Sequence, residues 1–444
     1  MTYADIILPL PLEGYFTYCV PDTLAPRLQP GCRVRVPLGK TKTYTGLVAA
    51  LHDQLPAGLK TGKEGVKSIV EMMDPGPVLL PQQLRLWQWI ADYYLSPIGD
   101  VYKAALPSGL KAEDDYRPKT ETYVVLADDF RSAQALRAAQ AMLQRAPAQQ
   151  KVLRAYLELA SVSEENPVPQ REITREELMN EAHSTTTVLR QFLDRRILRQ
   201  YEKEVGRIPL GGMPHPEHIK PLSEAQADAY NQILVQQMSK DITLLHGVTS
   251  SGKTEIYIHL IQRALDEGRQ VLYLLPEIAL TVQMMQRLRR VFGDRLGIYH
   301  SRYSDAERVE IWKRQLSDHP YDVILGARSA LFLPFQRLGL VIVDEEHEQS
   351  FKQMDPAPRY HARSAAIILA KLCGAKVLLG TATPSSESYW NAQTGKYGYV
   401  RLDKRYQNMA LPAVEVVDVK DLRRRKMMTG HFSPRLLAAI RAAL

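Results

Sequence analysis

Residues 242–254 read ITLLHGVTSSGKT, an apolar segment followed by a loop of small residues that ends in Lys253 and Thr254. The loop fits the pattern G-x-x-x-x-G-K-S/T and is followed by a helix-like stretch, TEIYIHLIQRALDEG. Small residues let backbone N–H groups surround a β-phosphate, and the start of a helix adds positive potential. Lys253 can reach the β- and γ-phosphates, and Thr254 offers a hydroxyl to Mg²⁺. The nucleotide-binding residues predicted here are Gly247, Val248, Thr249, Ser250, Ser251, Gly252, Lys253 and Thr254.

Further along the chain, the apolar segment 338–343 is followed directly by four residues that we call the acidic sequence. It reads Asp344-Glu345-Glu346-His347. A strand that ends in carboxylates, downstream of a phosphate loop, brings an acid next to a bound metal ion. We expect Asp344 to hold Mg²⁺ together with Thr254, and Glu345 to orient and deprotonate the attacking water. Lys253, Asp344 and Glu345 are therefore the predicted catalytic residues.

A third element, GTATP at residues 380–384, follows the apolar segment 376–379. Ligands of open α/β sheets bind in the crevice at the carboxyl ends of the strands. Hydroxyl groups at such a strand end can relay a signal between the nucleotide and a second ligand. Thr381 and Thr383 are the hydroxyl residues of this element.

Five apolar runs surround these elements and predict the fold of the C-terminal half. They are ITLLHG (242–247), VLYLLP (271–276), DVILGA (322–327), LVIVDEE (340–346) and KVLLGTA (376–382). Continuous apolar runs are typical of parallel strands that helices cover on both faces. A Gly- and Pro-rich hinge at 211–221 precedes this α/β region.

The rest of the chain has two different patterns. Up to about residue 112, short strands separated by Pro and Gly predict a small β-barrel or sandwich, followed by a helix at 81–95. The aromatic residues of that helix, Trp87, Trp89, Tyr93 and Tyr94, suit packing against the barrel better than stacking on bases. Between about 118 and 205, three short helices and a ribbon resemble a winged helix, with a helical linker that touches no DNA as the alternative.

Composition limits the function classes. The 444 residues are too many for one compact core, and the formal charge of +8 favours a polyanionic partner. Cys19, Cys32 and Cys373 have no C-x-x-C spacing, which argues against a disulfide framework or zinc site. The sequence shows neither a membrane-spanning apolar run nor a secretory signal, so we expect no membrane and a cytoplasmic protein.

The three elements resemble motifs I, II and III of superfamily 2 helicases. Several longer segments are similar to the PriA family of replication-restart helicases. These are LLPEIALT (274–281), GARSALFLP (326–334), VDEEHEQSFKQ (343–353), PRYHARSAA (358–366), LGTATPSSES (379–388), CRVRVPLGK (32–40) and YYLSPIGDVYKAALP (93–107). The implied multidomain α/β architecture has a β-rich domain that binds 3′ DNA ends (1–112), a winged-helix-like domain (118–205), a linker (206–221) and a RecA-like lobe (222–444).

The resemblance implies an ATP-dependent 3′-to-5′ DNA helicase that recognises stalled replication forks and starts primosome assembly. Its implied partners are forked and single-stranded DNA, primosome proteins and single-strand-binding protein. Gln226 is the implied adenine-binding residue. The implied single-strand path contains Pro276, Glu277, Thr281, Gly326, Ala327, Arg328 and Ser329. The implied coupling residues are His347, Arg359, Tyr360, Thr381 and Thr383.

The resemblance also implies an N-terminal pocket for a 3′-terminal nucleotide, formed by Phe16, Gly39 and Lys67. This chain has Thr17 where the family pattern has Asp, and a hydroxyl is a weaker acceptor than a carboxylate. It also has Ser250 where Gly is usual.

Family members continue into a second lobe with an arginine finger and a zinc module. We therefore expect an N-terminal fragment with weak ATPase activity and zinc only in the missing part. The alternatives are a fork-binding module with little ATPase, or another superfamily 2 translocase.

Overall fold

The computed structural model describes residues 2–55, 65–111, 119–163, 165–204, 206, 208, 212–279, 281–405 and 414–444. These residues form three β-sheets of five, three and seven strands, in an N-terminal, a middle and a C-terminal region.

The N-terminal region is a small barrel followed by helices. Its elements are β1 (Thr2–Ile7), β2 (Phe16–Val20), β3 (Arg33–Leu38), β4 (Lys42–His52), β5 (Glu71–Met72), α1 (Pro81–Tyr93), α2 (Ile98–Ala105) and α3 (Ser108–Lys111). The antiparallel strand order is β2-β1-β4-β3-β5. The chain before β5 returns to β2, since the Cys19 N–H donates to the Lys67 carbonyl at 2.8 Å and the Ile69 N–H donates to the Cys19 carbonyl at 3.0 Å. These bonds join the two edges of the sheet, so of the two predicted alternatives the structure shows a barrel.

The aromatic residues of α1 do not pack on the barrel alone. Trp87 is fully buried, in a core that contains Ile7 and Leu47 of the barrel together with residues of the C-terminal region. Trp89 and Tyr94 are partly buried, whereas Tyr93 is 65% exposed. The expectation of barrel packing is therefore incomplete, because α1 lies between the barrel and α12 (Ala362–Cys373) of the C-terminal region.

The middle region contains β6 (Thr120–Leu126), α4 (Ala133–Met142), α5 (Pro147–Leu159), β7 (Ile173–Thr174), α6 (Arg175–Glu181), α7 (Thr186–Asp194) and β8 (Leu198–Glu204). Its antiparallel sheet has the order β7-β6-β8. The predicted helices are α5, α6 and α7. Strand β6 and helix α4 were not predicted, and β6 supplies the partner along the whole length of β8.

The C-terminal region has a seven-stranded sheet in which the neighbouring strands are parallel, in the order β11-β12-β10-β13-β14-β9-β15. Its strands are β9 (Ile242–Gly247), β10 (Gln270–Leu274), β11 (Leu296–Tyr299), β12 (Val323–Gly326), β13 (Leu338–Asp344), β14 (Lys376–Thr381) and β15 (Gly398–Leu402). Its other helices are α8 (Glu224–Ser239), α9 (Lys253–Asp266), α10 (Val282–Phe292), α11 (Asp305–Leu316), α13 (Ser386–Gln393), α14 (Val419–Arg424) and α15 (Pro434–Ala443). The five predicted strands are present, and the two short edge strands β11 and β15 were missed.

Alternate residues of the central strands enter two different cores. Leu272 and Leu274 belong to the core that includes α12, whereas Val271 and Tyr273 belong to the core that includes α9. The sheet is thus covered on both faces, which explains why its strands are apolar throughout. In the part of the chain that the structure describes, no helix has the length and apolar character needed to cross a membrane.

Candidate nucleotide-binding site

The phosphate loop connects β9 to α9 and is held by α8. Gly252 has a φ of +80°, and a Cβ there would lie 2.2 Å from Nε2 of Gln226. That Nε2 donates to the Ser251 carbonyl at 3.0 Å. Ser250, which stands where Gly is usual, also has a left-handed backbone, with φ of 63°. The loop therefore has the curled backbone that a phosphate needs, at some conformational cost for a serine.

Gln226 is buried, and both ends of its amide are used within the protein. Its Oε1 accepts from the Ser223 N–H at 2.9 Å in a capping box at the start of α8. Its Nε2 contacts the loop backbone, as described above. The structure therefore places Gln226 against the phosphate loop, and its contact with adenine stays a prediction.

Lys253 and the acidic residues meet at the carboxyl edge of the sheet. The Lys253 Nζ donates to the Gly247 carbonyl at 3.0 Å and lies 4.0 Å from Oε1 of Glu345. Asp344, at the end of β13, is only 8% exposed. Its pKa is raised to about 6 by burial and by the neighbouring Glu345 charge, against the lowering effect of Lys253. Glu345 has a φ of 49°, a left-handed conformation that costs energy in a residue with a side chain.

The third element contacts the acidic sequence directly. His347 Nδ1 lies 2.7 Å from Oγ1 of Thr381, and its Nε2 lies 3.3 Å from Oγ1 of Thr383. The same imidazole is 3.7 Å from Oε2 of Glu345. The structure thus brings three of the predicted coupling residues together, beside the predicted catalytic glutamate.

Glu346 is a residue of this site to which sequence reasoning gave no role. Its side chain is fully buried, and Oε2 accepts from Arg363 Nη1 at 2.6 Å and from the Ser388 hydroxyl at 2.8 Å. Oε1 accepts from the Ser385 N–H at 2.8 Å. Arg363 and Ser385 lie in two of the quoted motif segments, but nothing in either segment shows that one buried carboxylate joins them.

A cavity of about 620 Å³ opens beside the phosphate loop, a size within the usual range of ligand sites of about 300–1,000 Å³. Gln226, Ser250 and Gly252 line one side of it, and Arg287 and Arg290 line another. Arg287 is paired with Glu255 at 2.5 Å. Lys220 and Arg290 add positive charge to this cavity beyond the Arg287–Glu255 pair, as a phosphorylated ligand requires.

The predicted single-strand path lies on adjacent strands. Pro276 and Glu277 follow β10, and Gly326, Ala327, Arg328 and Ser329 follow or end β12, which is its neighbour. The Leu275 N–H donates to the Gly326 carbonyl at 2.9 Å, so both segments leave the sheet at one edge. Thr281 caps α10 by accepting from the Met284 N–H at 3.3 Å.

Two residues of that path contact other parts of the protein. A Cβ at Gly326 would lie 2.4 Å from Cβ of Ala330, so glycine is required for internal packing as well as for any close approach of DNA. Arg328 Nη1 donates to the Lys352 carbonyl at 3.2 Å. The guanidinium of Arg328 therefore contacts the segment 349–361. The side chain is also partly exposed to solvent.

The predicted coupling residues Arg359 and Tyr360 differ in their surroundings. Tyr360 is buried edge-on against Phe332, with ring centroids 5.3 Å apart, and burial raises its pKa well above the usual range. Arg359 is exposed, and its Nε donates to the Met354 carbonyl at 2.9 Å. The next residue, His361, donates its backbone N–H to the Tyr94 hydroxyl of the N-terminal region at 3.1 Å. Tyr360 is therefore buried and Arg359 exposed, and the coupling role of both residues stays a prediction.

The predicted 3′-end residues lie on the barrel. Gly39 has a φ of +69° in the turn between β3 and β4, and its carbonyl accepts from Lys67 Nζ. Phe16 pairs with the buried Ile6, whereas the adjacent Thr17 points to the opposite side of the strand. Thr17 Oγ1 donates to Asp5 Oδ1 at 2.7 Å, and Asp5 Oδ2 lies 2.7 Å from His52 Nε2. A carboxylate thus stands next to Thr17, supplied by the neighbouring strand, which sequence reasoning missed because register is not visible in sequence.

Comparisons with known proteins give each region a match. Residues 5–107 match the 3′DNA-binding domain (3′BD) model of PriA, residues 121–205 match the winged helix domain of PriA helicase from Bacteroidota, and residues 223–390 match the DEAD/DEAH box helicase model. The winged helix of the middle region is thereby confirmed over the alternative of a helical linker. The match to the 3′DNA-binding domain model indicates that DNA is a partner of this chain. The match to the helicase model implies nucleotide binding.

Individual proteins are similar to this chain as well. The chain is 34% identical to the replication restart protein PriA of Haemophilus influenzae, over 95% of this chain and 54% of that protein. It is 31% identical to the PriA of Bacillus subtilis, over 95% of this chain and 58% of that protein. The chain also matches a solved structure, Mycobacterium smegmatis helicase Lhr bound to ssDNA and AMP-PNP. That match covers 43% of this chain and 26% of the Lhr chain, with 24% identity and a TM-score of 0.30. The chain spans little more than half the length of the two PriA relatives, and it resembles them over nearly all of its own length.

Proposed function

We propose that this chain is the nucleotide-binding and fork-binding part of an ATP-dependent 3′-to-5′ DNA helicase that restarts stalled replication. The meeting of Lys253, Asp344 and Glu345 at one edge of the sheet is the observation that supports this proposal best. Primosome proteins and single-strand-binding protein are proposed as its partners, and the cytoplasm as its location, because it would act there on chromosomal DNA.

The nucleotide is proposed to bind as Mg²⁺-ATP. Thr254 stands at the start of α9, and Asp344 is a buried acid beside a second acid, an arrangement that a divalent cation would stabilise. Bound Mg²⁺ supplies positive charge at the β- and γ-phosphate oxygens. Lys253 exchanges its contact with the Gly247 carbonyl for the phosphates, and Glu345 orients and deprotonates the attacking water.

The DNA contacts proposed for the lobe are those of the two segments after β10 and β12. Arg328 links this edge to residues 349–361, and His361 in turn contacts Tyr94 of the N-terminal region. We propose that DNA bound at this edge changes the position of that loop. Arg363, in the first turn of α12 just after this loop, connects it to the acidic sequence through an ion pair with Glu346.

The barrel is proposed to bind the 3′-terminal nucleotide of a nascent strand. Phe16, Gly39 and Lys67 are its proposed contacts, with Thr17 beside the Asp5 carboxylate. Because Asp5 is within hydrogen-bond distance of Thr17, the pair can still offer a charged acceptor to a 3′-hydroxyl.

The nucleotide proposal is tested with Lys253→Ala. We expect its affinity for ATP to fall by about tenfold or more, because charge-assisted hydrogen bonds to phosphate are lost, and any DNA-stimulated hydrolysis to disappear. Isothermal titration and phosphate release measure the two effects. Lys240→Ala is the control and should change neither, because the Lys240 ammonium donates to the Gly395 carbonyl and not to the phosphate loop. Unchanged affinity and hydrolysis in Lys253→Ala would overturn the assignment, and ATP binding without turnover in the unsubstituted chain would favour the binding-module alternative.

The end-binding proposal is tested with Asp5→Asn. We expect the unsubstituted chain to prefer forks with a 3′-hydroxyl over forks with a 3′-phosphate, and Asp5→Asn to reduce that preference by about fivefold. Fluorescence anisotropy with both forks measures the ratio, and Lys253→Ala should leave it unchanged. Equal affinity of the unsubstituted chain for the two forks would remove the end-binding claim.

A further inference from the structure

Two buried tyrosines contact the carboxylate of Asp344. Tyr257, on α9, donates its hydroxyl to Oδ1 at 2.9 Å. Tyr273, on β10, donates its hydroxyl to Oδ2 at 3.3 Å. Both side chains are 0% exposed, and their rings meet edge to face at 5.6 Å. Each oxygen of this one carboxylate is therefore held by a hydroxyl from a different element.

The two oxygens of Asp344 are not equally occupied. Oδ1 accepts from Tyr257 and also from the Glu345 N–H at 3.1 Å. Oδ2 has the longer contact with Tyr273. A carboxylate oxygen has about two lone-pair positions, so Oδ2 keeps more capacity for a further ligand than Oδ1 does. The arrangement fixes the plane of the carboxylate while leaving one oxygen available.

A glycine on the next strand makes room for this contact. Gly380 pairs with Asp344 across β14 and β13. A Cβ at Gly380 would lie 1.8 Å from the Tyr257 hydroxyl oxygen and 3.3 Å from Oδ1 of Asp344. Any larger residue at position 380 would displace the Tyr257 hydroxyl. Gly380, the first residue of the GTATP element, is therefore required for Tyr257 to contact Asp344.

We propose that Tyr257 and Tyr273 are positioning residues that orient the Asp344 carboxylate toward the divalent cation of a bound nucleotide, with Gly380 providing the space. This inference rests on the proposed function, in which Asp344 holds that cation. Groups that hydrogen-bond a metal ligand fix its orientation, and removing one typically lowers metal affinity by about 10- to 100-fold. The tyrosines thereby join the phosphate-loop helix, the acidic sequence and the GTATP element around one carboxylate.

Tyr257→Phe removes the hydroxyl and keeps the ring, so it is the first test. The binding of an N-methylanthraniloyl derivative of ATP is followed by fluorescence during a MgCl₂ titration and again in EDTA. We expect the Mg²⁺ concentration for half-maximal enhancement of binding to rise about tenfold, with binding in EDTA unchanged. Tyr273→Phe should shift it less, because its contact is longer. Gly380→Ala should shift it in the same direction as Tyr257→Phe.

Tyr102→Phe is the matched control. Tyr102 is also 0% exposed, and its hydroxyl donates to the Thr45 carbonyl at 3.1 Å, in a contact that does not involve Asp344. This control should lower the unfolding temperature without moving the Mg²⁺ dependence. An unchanged Mg²⁺ titration in both Tyr257→Phe and Tyr273→Phe overturns the inference and leaves the proposed function standing. Absence of any Mg²⁺ effect in the unsubstituted chain overturns the proposed function itself.

Discussion

The barrel region and the winged helix differ in whether they share a hydrophobic core with the C-terminal lobe. Leu86 and Trp87 of α1 belong to one hydrophobic core with Trp312 and Phe332 of the lobe. The winged helix has a core of its own, which in the described part of the chain draws its buried residues from positions 124–198. The barrel region is therefore packed into the lobe, whereas the winged helix is a separate unit.

Polar contacts strengthen the first attachment. Trp312 Nε1 donates to the Val78 carbonyl at 2.8 Å, and Gln83 Nε2 donates to the Phe332 carbonyl at 2.5 Å. The Lys352 ammonium lies 5.0 Å from the centre of the Tyr94 ring. Lys352 belongs to the loop that precedes Arg363, whose ion pair reaches the acidic sequence. A series of contacts thus connects the barrel region to the acidic sequence.

The largest expected effect comes from Trp312→Ala. Truncating this buried indole removes its packing and its hydrogen bond, which should cost about 3–5 kcal/mol of the free energy of unfolding. Because the core is shared, α1 and α2 should lose protection together with the lobe, and the winged helix should keep its protection. Hydrogen exchange measured by mass spectrometry distinguishes the three regions. Loss of protection confined to the lobe would contradict the shared core.

The complementary substitution is Phe192→Ala, in the core of the winged helix. Phe192 is 1% exposed, and we expect a loss of about 3 kcal/mol confined to residues 119–204. Nucleotide affinity and protection of α1 should not change, because that core is separate. Phe192→Leu, which retains most of the volume, is the control and should have a smaller effect. A fall in nucleotide affinity would show that the two units are coupled.

A smaller effect is expected from pH at the contact between α1 and residue 361. Burial, Arg363 and Lys352 lower the pKa of His361 from 6.5 to about 4, while Glu346 and Glu387 oppose this. The neutral imidazole therefore contributes stability that is fully present above pH 6.5 and is lost as the pH falls toward 4. Acidification should reduce the protection of α1 before that of the winged helix, and His361→Gln should weaken this dependence.

Asp344 changes stability with pH in the opposite direction, so its effect must be distinguished from that of His361. Its pKa is raised from 3.8 to about 6, so its contribution is fully present below pH 3.8 and is lost as the pH rises through 6. Comparing unfolding curves of His361→Gln and the unsubstituted chain at each pH isolates the histidine. Identical pH dependence of unfolding in the two proteins would show that His361 does not cause the loss of stability at low pH.

Features of the fold and site that depend on consecutive residues were predicted from the sequence, whereas features that depend on contacts between distant residues were not. The phosphate loop, the acidic sequence and five of the seven lobe strands were predicted, because each depends on consecutive residues whose pattern fixes the backbone. The edge strands β11 (LGIY) and β15 (GYVRL) were missed because Gly297 in the first and Arg401 in the second interrupt the apolar run. Strand β6 was missed because residues 118–205 are densely charged and mostly helical in pattern, which favoured helices over a strand there.

The sequence by itself predicted the phosphate loop, since the pattern that contains Gly252, Lys253 and Thr254 depends on local backbone geometry. Only the tertiary structure decided which side chains surround it. The order β13-β14-β9 places Gly380 opposite Asp344 and admits the Tyr257 hydroxyl between them. The same is true of Asp5 beside Thr17 and of Trp312 beside Val78. Strand order, register and core packing arise from contacts between distant residues, which no local pattern encodes.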